Sequence, residues 1–556
     1  MKIAGFALLL AGALFAAQET ELKDSSGATV IKYVVEAPPN APPAGTTDPA
    51  KQLGLFLCFP EHDRPVGDEI YPVSAALKRQ GLLDQFVLIG GGPQERKFGA
   101  KDHEPIQKLL AWALKTYPIN PRRVYMYGKG EGSNISGQFS MMYPNLTAAS
   151  IGYSWGWWKF QTELDKPLNA AKTMPELYLV LGLRDLSYHL TNVRDVYARA
   201  QAKGYHIIYR EFSELGARTY HQPSNDDAIA WASRLRHKTL PLSAGETALL
   251  KNLKLVNGRF PALSTVGGAP AGVELRRLLA SSDAATRAAA ARTAYDAIYD
   301  EETMAALGKA ALDASPVVRR EAFRALALHA NWRSAAAQHA LIELAMSETK
   351  AVDADDRVDA VDGIIHAAKL QVNGVKQDPA LFGALIALLS DKNEQLRTMA
   401  SNFLSQVRDP DYRGDLTRKE NKEPEGGWTA WLERTTADAE GYFADYKGCG
   451  SVKDAAAVKF CEGETHYSRN PAEALRLTVE AAEAGYVPAQ AMAGMMYAIA
   501  KGTEQNLPEA RKWFQKAADG GHRLAPKQLA QVPGRRTAAP AATPAQQSPT
   551  AKTGGQ

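Results

Sequence analysis

The residues best placed to present a reactive group lie in a glycine-rich turn. An apolar run at residues 124–127 is followed by Gly-Lys-Gly-Glu-Gly at residues 128–132, and a helix-like stretch comes next. A tight turn from strand to helix needs backbone angles that glycine adopts without steric cost. The spacing predicts a strained turn that presents residue 130. Because that residue is Gly130, the turn offers no side chain for chemistry there.

Two later stretches carry side chains of the types that hydrolytic chemistry uses. Asp185 follows an apolar run at residues 177–181, and His221 lies four residues after Ala217. Acyl transfer by a nucleophile needs an activated oxygen, an imidazole within hydrogen-bond reach and a carboxylate that orients the imidazole. The chain supplies a carboxylate and an imidazole, but the turn supplies no hydroxyl.

A tryptophan cluster, Trp155, Trp157 and Trp158, follows another apolar run at residues 148–153. Aromatic rings at the end of a strand could form a platform for a sugar or an apolar ligand. They could instead form a lid that packs over an empty pocket, and we favour the lid.

Alternating strands and helices between residues 18 and 240 must position these groups. Several runs are continuously apolar, as in parallel strands covered on both faces. The predicted strands lie at residues 30–35, 53–59, 86–89, 124–127, 148–153, 177–181 and 207–212, and the predicted helices at about 69–80, 103–117, 133–143, 190–204 and 224–237. This alternation predicts one α/β domain with a parallel sheet.

Residues 18–240 resemble the secreted α/β-hydrolases of the esterase and polyhydroxybutyrate-depolymerase type. In that family the turn reads Gly-x-Ser-x-Gly and carries the nucleophile, and the serine position here is Gly130. The resemblance places the triad acid at Asp185 and the base at Ala217, with His221 as a candidate displaced base. Residues 58–62, Cys-Phe-Pro-Glu-His, stand where many relatives show His-Gly. The resemblance implies a hydrolase-like domain that has lost its nucleophile and its base.

Three alternatives would restore a function to this domain. Ser133 or Ser136 could act as a displaced nucleophile, although both lie beyond the turn in the following helix. The turn could bind an anion at a helix N-terminus, although it lacks the known phosphate-binding patterns and Glu131 would repel an anion. A metal site could form from side chains that show no recognised ligand spacing, namely Glu61, His62, Asp63, His189 and His221. We predict no metal and no cofactor.

From residue 243 to residue 410 the strands give way to an Ala- and Leu-rich helical region with a weak repeat. Four arginines recur at spacings of 32, 38 and 40 residues, each with an alanine three residues later: Arg287, Arg319, Arg357 and Arg397. Ser281, Asp313 and Asp391 lie six residues before three of them and are predicted helix caps. The pattern resembles HEAT-type helical hairpins, which stack because no single hairpin can bury its apolar face.

Residues 411–445 are interpreted as a charged linker with a tryptophan-bearing helix, in which Trp428 and Trp431 dock onto the preceding repeats. Residues 446–531 carry a sharper repeat with an offset of 36, which pairs Glu473 with Glu509. It resembles tetratricopeptide-like repeats of the Sel-one type. The predicted fold is therefore multidomain, with an α/β-hydrolase-like parallel-sheet domain followed by all-α repeats, first HEAT-like and then Sel-one-type.

The two ends of the chain predict export and disorder. Residues 1–17 have a positive start and an apolar run, which is typical of a secretory signal peptide, and the alternative is an uncleaved anchor. Residues 532–556 are rich in Ala, Pro, Thr and Gln and are expected to be disordered. In an exported protein Cys449 and Cys461 could form a disulfide or stay as free thiols, and Cys58 is predicted to be buried.

The composition restricts the classes of partner that the protein is expected to bind. The net charge is +4 from 65 basic and 61 acidic residues with no basic block, which argues against nucleic acid. No later apolar run is long enough to span a membrane after signal removal. We expect a periplasmic or secreted, non-catalytic scaffold that binds other envelope or secreted proteins through its repeats. Two alternatives stay open: an unorthodox, serine-independent esterase or peptidase-like hydrolase, and a glycan-binding protein that uses the tryptophan cluster.

Overall fold

Two compact units make up the chain, Met1–Ala444 and Asp445–Gln556. The structure, a computed structural model, describes residues 19–61, 64–93, 98–153, 176–182, 206–212, 221–347, 352, 354–369, 378–408, 427–430, 432–433, 455–466, 470–520, 522 and 525–532. Several predictions fall outside these residues and stay predictions. They are the signal peptide, the helix at 190–204, most of the linker and the tail from residue 533.

An eight-stranded sheet with the order β1-β2-β4-β3-β5-β6-β7-β8 forms the core of the first unit. The strands are β1 (Thr20–Lys23), β2 (Thr29–Glu36), β3 (Leu53–Phe59), β4 (Phe86–Gly91), β5 (Ile119–Lys129), β6 (Ala149–Tyr153), β7 (Glu176–Gly182) and β8 (Ile207–Phe212). Strands β3 to β8 are parallel, and β2 is antiparallel to both β1 and β4. The predicted parallel-sheet, α/β-hydrolase-like fold is confirmed. The strand order reverses beside β3, and in such sheets ligands bind at the carboxyl ends of the strands at this point.

Helices cover both faces of the sheet. α1 (Ile70–Arg79) and α4 (Gln222–Arg234) pack on one face, and α2 (His103–Thr116) and α3 (Glu131–Met142) pack on the other. Every residue of β3 is buried, as its continuous apolar run predicts. Cys58 in this strand is fully buried, which confirms that prediction, and burial raises the pKa of its thiol well above the usual value.

Two sheet elements differ from the sequence prediction. β1 was not predicted because Thr-Glu-Leu-Lys is a short, polar and largely exposed edge strand. β5 begins at Ile119 rather than at residue 124. The sequence prediction missed this first part because the residues after Ile119, namely Asn120, Pro121, Arg122 and Arg123, do not form an apolar run.

A helical array follows the sheet domain and has one continuous apolar core. Its helices are α5 (Ala244–Lys251), α6 (Pro261–Val266), α7 (Gly268–Leu279), α8 (Ala284–Thr293), α9 (Glu301–Ala310), α10 (Pro316–Asn331), α11 (Ala335–Ala345), α12 (Ala354–Lys369), α13 (Pro379–Leu388) and α14 (Glu394–Arg408). Trp428 belongs to the same core, which confirms its predicted docking onto the repeats.

The recurring arginines link successive repeats of this array. The ion pairs are Arg287 with Asp313, Arg319 with Asp356 and Arg357 with Asp391. Arg287, Arg319 and Arg397 also donate from Nη1 to the carbonyl oxygen six residues earlier, at 2.9, 3.0 and 2.7 Å. Each of these arginines therefore satisfies backbone acceptors at a turn, and three arginines also bind the next repeat.

The predicted caps at Ser281 and Asp313 were wrong. The residues at the N-caps of α8 and α10 are Asp283 and Ser315, two residues later in each case. Asp313 accepts both guanidinium bonds from Arg287, so its carboxylate joins two repeats instead of capping a helix.

The array packs directly against the sheet domain. Trp332, at the end of α10, lies in the apolar core formed by the sheet with α1 and α4. Its Nε1 donates to Asp227 Oδ1 at 3.0 Å, and Asn331 Nδ2 donates to the same oxygen at 2.9 Å. Because Tyr178 on β7 also donates to Asp227, one carboxylate connects the sheet, α4 and the array.

Five helices form the described part of the second unit: α15 (Ala455–His466), α16 (Pro471–Glu483), α17 (Val487–Ala498), α18 (Leu507–Asp519) and α19 (Ala525–Gln531). The 36-residue offset recurs in their caps, since Asn470 caps α16 and Asn506 caps α18. At Gly494 a side chain would meet the Phe514 ring, with a Cβ only 2.7 Å from it. Small residues therefore permit the close approach of α17 and α18.

Within the described part of the chain, no helix has the length and apolar character needed to cross a bilayer.

Candidate functional site

The glycine turn joins β5 to α3 in the backbone conformation that the sequence predicts. Gly130 has φ 55° and ψ −120°, which side-chain-bearing residues adopt only under strain. The two flanking glycines, Gly128 and Gly132, leave no room for a side chain. A Cβ on Gly128 would lie 2.0 Å from the carbonyl oxygen of Gly132, and a Cβ on Gly132 would lie 1.9 Å from that of Phe59. We call residues 128–132 the elbow.

Glu61 occupies the space where a side chain of residue 130 would begin. A Cβ built on Gly130 would lie 2.8 Å from Glu61 Cγ and 3.2 Å from Glu61 Cδ. Real Cβ atoms do not approach other carbons at 2.8 Å, so one of the two groups would have to shift. The carboxylate of Glu61 thus lies close to the space that a side chain at residue 130 would enter. The sequence analysis named Glu61 only as a candidate metal ligand. The feature that could have pointed to this contact is the departure from His-Gly at residues 58–62.

The serines near the elbow are enclosed. Ser133 and Ser136 lie on α3 and are fully buried. Ser136 Oγ donates to the Gly132 carbonyl oxygen at 2.7 Å, so this hydroxyl is committed to its own helix. The amide of Gly130 donates to Tyr153 O at 2.9 Å, which extends the β5–β6 pairing. The hydroxyl of Ser136 and the amide of Gly130 are therefore both engaged in hydrogen bonds that stabilise the fold.

A second carboxyl group, Glu69, lies near the elbow at the start of α1. It is 7% exposed and has neither a hydrogen bond nor an ion pair among the described residues. Burial raises its pKa to about 7, the charges of Asp68 and Glu61 add to the rise, and Lys129 and Arg64 oppose it. Glu69 was not found from the sequence, because nothing local distinguishes it from a surface glutamate.

His221 caps α4. Its Nδ1 accepts the backbone N–H of Ser224 at 3.2 Å, and its carbonyl oxygen accepts the hydroxyl of Tyr153 at 3.0 Å. An Nδ1 that accepts a hydrogen bond places the proton of a neutral imidazole on Nε2. A triad base needs the reverse tautomer, with Nδ1–H toward the acid.

The other predicted site residues lie outside the described part of the chain. They are Asp185, Ala217, Trp155, Trp157, Trp158, Cys449 and the candidate metal ligands His62, Asp63 and His189. Cys461 lies on α15, but its side chain is not described either. Across the residues that are described, no group of three His, Cys, Asp or Glu side chains is placed to hold a metal ion.

Comparison with known families identifies the C-terminal region. Residues 460–486 and 487–522 match the model of the Sel1 repeat. Residues 460–522 are therefore two Sel1 repeats. These lie within the predicted range 446–531 and include α16 to α18. The search of curated proteins finds no match.

The solved structures similar to the chain include hydrolases. They include a thermostable esterase (15% identity, TM-score 0.31, covering 40% of this chain and 63% of that chain), an S-formylglutathione hydrolase from Staphylococcus aureus (13%, 0.31, 39% and 96%) and a siderophore hydrolase from Aspergillus nidulans (12%, 0.32, 42% and 99%). The chain thus spans less than two thirds of the thermostable esterase. Matches of this strength carry no argument on activity, and the fold assignment rests on the strand order and the elbow.

Proposed function

We propose that this protein is an exported, non-catalytic scaffold that binds other envelope or secreted proteins, and that its hydrolase-like domain no longer transfers acyl groups. The observation that supports the loss of catalysis is the contact at the elbow. Gly130 keeps the strained backbone of a nucleophile turn, while Glu61 fills the space that the nucleophile's side chain would need.

Two further features support this proposal. The sequence has Ala217 where the family has its base, and His221 holds its Nδ1 as a helix-cap acceptor. Acyl transfer requires a nucleophile, a base and an orienting acid together, so restoring one of them recovers little.

The Sel1 repeats support the scaffold part of the proposal. Stacked helical repeats expose extended surfaces that commonly bind proteins. α16 and α18 carry exposed charged side chains on such a surface, including Arg476 and Lys512. The partners that fit an exported chain are other envelope or secreted proteins.

Ester hydrolysis tests the catalytic part. The wild-type chain, Gly130→Ser and the double variant Glu61→Ala/Gly130→Ser are assayed with short-chain nitrophenyl esters. We expect no turnover above the buffer rate in the first two and at most a slow acyl-enzyme burst in the double variant, because only it has room for the hydroxyl. Clear turnover by the wild type that is lost in Asp185→Ala would overturn the proposal.

Affinity purification tests the scaffold part. The full-length chain is compared with Arg476→Glu/Lys512→Glu, which reverses two exposed charges on the repeats. The matched control is Arg277→Glu, an exposed arginine of the array. Partners should be lost from the repeat variant and retained by the control. Equal recovery from all three would contradict binding through this surface.

Export is tested by sequencing the N-terminus of the mature protein from fractionated cells. The proposal expects a start near Gln18 in the periplasmic or secreted fraction. An intact Met1 in the cytoplasmic fraction would contradict it.

One observation favours a second candidate function, a serine-independent hydrolase. Glu69 is a buried acid with a pKa of about 7 near the carboxylate of Glu61, and two carboxyl groups in different environments can divide acid and base roles. Turnover of an ester or peptide by the wild type that Glu69→Gln abolishes would favour this function over the scaffold. The glycan-binding alternative stays a prediction, and quenching of tryptophan fluorescence by a glycan would test it.

A further inference from the structure

A cavity of about 480 Å³ lies at the edge of the sheet opposite the elbow. It is lined by Glu176 at the start of β7, by His206 just before β8 and by Arg122 near the start of β5. The array closes it with the first residues of α7 and with the end of α10. A volume of this size suits a small organic molecule.

Most of the wall is apolar. The rings of Trp231 and Trp332 line the cavity together with Leu235, Ile298 and Met304. Such a wall favours the apolar body of a ligand, since its contact surface leaves water on binding.

Arg122 directs unused hydrogen-bond donors at this cavity. The residue is 3% exposed, and its Nη1 donates to Glu246 Oε1 at 2.9 Å and to Val266 O at 3.1 Å. Its Nε and Nη2 have no acceptor among the described residues. Nη2 is the atom nearest to the cavity-lining Gly268, 3.6 Å from where a Cβ on that glycine would lie. A buried guanidinium with unused donors carries a free-energy cost that an acceptor would relieve.

The N-terminus of α7 meets the same space. Its N-cap, Gly267, provides no side-chain acceptor, and the N–H of Gly268 donates to Ile298 O at 2.9 Å. The N–H of Ala269 has no acceptor in the described part of the chain. The helix dipole adds partial positive charge at this end of a twelve-residue helix.

Three basic side chains, Arg122, Arg236 and Lys238, line the cavity together with three acidic ones, Glu176, Asp300 and Glu301. Arg236 is 7% exposed, its guanidinium donates only to backbone carbonyls, and no carboxylate pairs with it among the described residues. Burial lowers its pKa to about 10, so it stays charged at neutral pH. Glu176 is paired with His206 and Lys238, and Asp300 with Arg276, while Glu301 accepts a hydrogen bond from the hydroxyl of Ser334. A buried cation without a counter-ion favours an anion nearby.

We propose that this cavity binds a small organic anion with an apolar body. The acidic group lies between Arg122 Nη2 and the N–H of Ala269, and the body packs against the apolar wall. The site is separate from the elbow and does not depend on the scaffold function.

The test uses the full-length chain and two matched probes. 8-Anilinonaphthalene-1-sulfonate carries an anionic group, and N-phenyl-1-naphthylamine has the same ring system without it. Arg122→Lys keeps the ion pair with Glu246 but removes Nη2. Arg123→Lys is the control, because Arg123 is the next residue on β5, bonds Gln52 O and lies outside the cavity wall.

We expect saturable binding of the sulfonate at least tenfold tighter than that of the neutral probe. Arg122→Lys should weaken the affinity for the sulfonate at least fivefold, while Arg123→Lys should leave that affinity within twofold of the wild-type value. Equal affinities for the two probes, or equal effects of the two variants, would overturn the proposal. If Arg122→Lys does not fold, hydrogen exchange of the wild type decides. The sulfonate should then protect the start of α7 and residues 231–238, and protection confined to other segments would overturn the site.

Discussion

At the scale of single residues, Glu61 and Gly130 restrict each other. The positive φ of Gly130 makes any side chain strained there, and Glu61 makes any side chain crowded. These are two separate costs, because one is a property of the backbone and the other of a neighbour. A serine at residue 130 would therefore meet both costs.

The two costs can be separated with alanine. Gly130→Ala is expected to lower the free energy of unfolding by about 2–4 kcal/mol, from strain plus the contact with Glu61. The control is Gly81→Ala, which has φ 69° but no atom within 4 Å of the new Cβ, and should cost only about 1 kcal/mol. Adding Glu61→Ala should recover part of the loss at residue 130. Denaturant unfolding of the wild type and the three variants measures this, and equal losses at residues 130 and 81 would contradict the contact.

The buried carboxyl group of Glu69 predicts a pH dependence of stability. Its pKa rises from 4.5 to about 7 on folding, so the folded state holds a proton that the unfolded state releases between these values. Stability should therefore fall as pH rises from 5 to 8, by about 2–3 kcal/mol from this group. Glu69→Gln should remove this loss and make the variant more stable than the wild type at pH 8.

Calorimetry of the full chain at pH 5 and pH 8 checks this expectation. Glu394→Gln, a change at an exposed position of α14, should leave the pH dependence unaltered. A wild-type slope that persists in Glu69→Gln would assign the effect to another group.

At the scale of elements, the ion pairs of Arg287, Arg319 and Arg357 with the next repeat, which we call the arginine ladder, explain why helices with few large side chains form a regular array. α8 buries mainly alanine, which contributes little apolar area. The pair of Arg287 and Asp313 is largely buried, with side chains 18% and 12% exposed, and it joins α8 to the turn before α10. The ladder therefore fixes the spacing of repeats whose apolar contacts alone specify it weakly.

Asp313→Ala is predicted to lower the free energy of unfolding more than the control does, because it leaves the partly buried Arg287 without a carboxylate. The control is Glu274→Ala, which breaks the exposed pair with Arg277 and should cost less than about 0.5 kcal/mol. Unfolding in denaturant at pH 7 compares the two, and equal losses would contradict the role of the ladder.

The ion pair of Arg287 and Asp313 also makes the stability of the fold depend on pH. The hydrogen bonds from Arg287 lower the pKa of Asp313 below its ordinary value. A carboxyl with a lowered folded pKa stabilises the fold above its unfolded pKa, and this stabilisation is lost as pH falls through the folded pKa. The difference between the wild type and Asp313→Ala should therefore disappear in acid, below the usual range for aspartate.

At the scale of the whole molecule, the sheet domain and the array form one unit because side chains of the array complete the core of the sheet. Trp332 fills that core, and Asp227 accepts hydrogen bonds from Trp332, Asn331 and Tyr178. The sequence placed a domain boundary near residue 243, which separates two secondary-structure patterns. The contacts cross this boundary.

Trp332→Ala should destabilise both the sheet domain and the helical array. The cavity left by the indole and the loss of one bond to Asp227 are expected to cost about 3–5 kcal/mol. Hydrogen exchange should increase in α4 as well as in α10. Leu312→Ala, at an exposed position of the array, should change neither. Faster exchange confined to the array in Trp332→Ala would show that the two parts unfold separately.

Local patterns determined much of this protein. Continuous apolar runs predicted the buried strands, and the 36-residue offset predicted the Sel1 repeats. The three glycines predicted the elbow, because the positive φ at residue 130 is a local backbone condition that glycine meets without strain. The recurring arginines were also visible, although their partners were not.

The tertiary structure alone decided which distant groups meet. Glu61 lies 69 positions before Gly130, yet it occupies the space that a side chain at residue 130 would enter. Glu69 becomes an unusual acid only because the fold buries it, and Arg122 faces a cavity whose far wall comes from helices more than 140 residues later. Backbone conformation depends on near neighbours and can be predicted from them. Desolvation and charge pairing depend on what the whole fold brings together, and no local pattern encodes that.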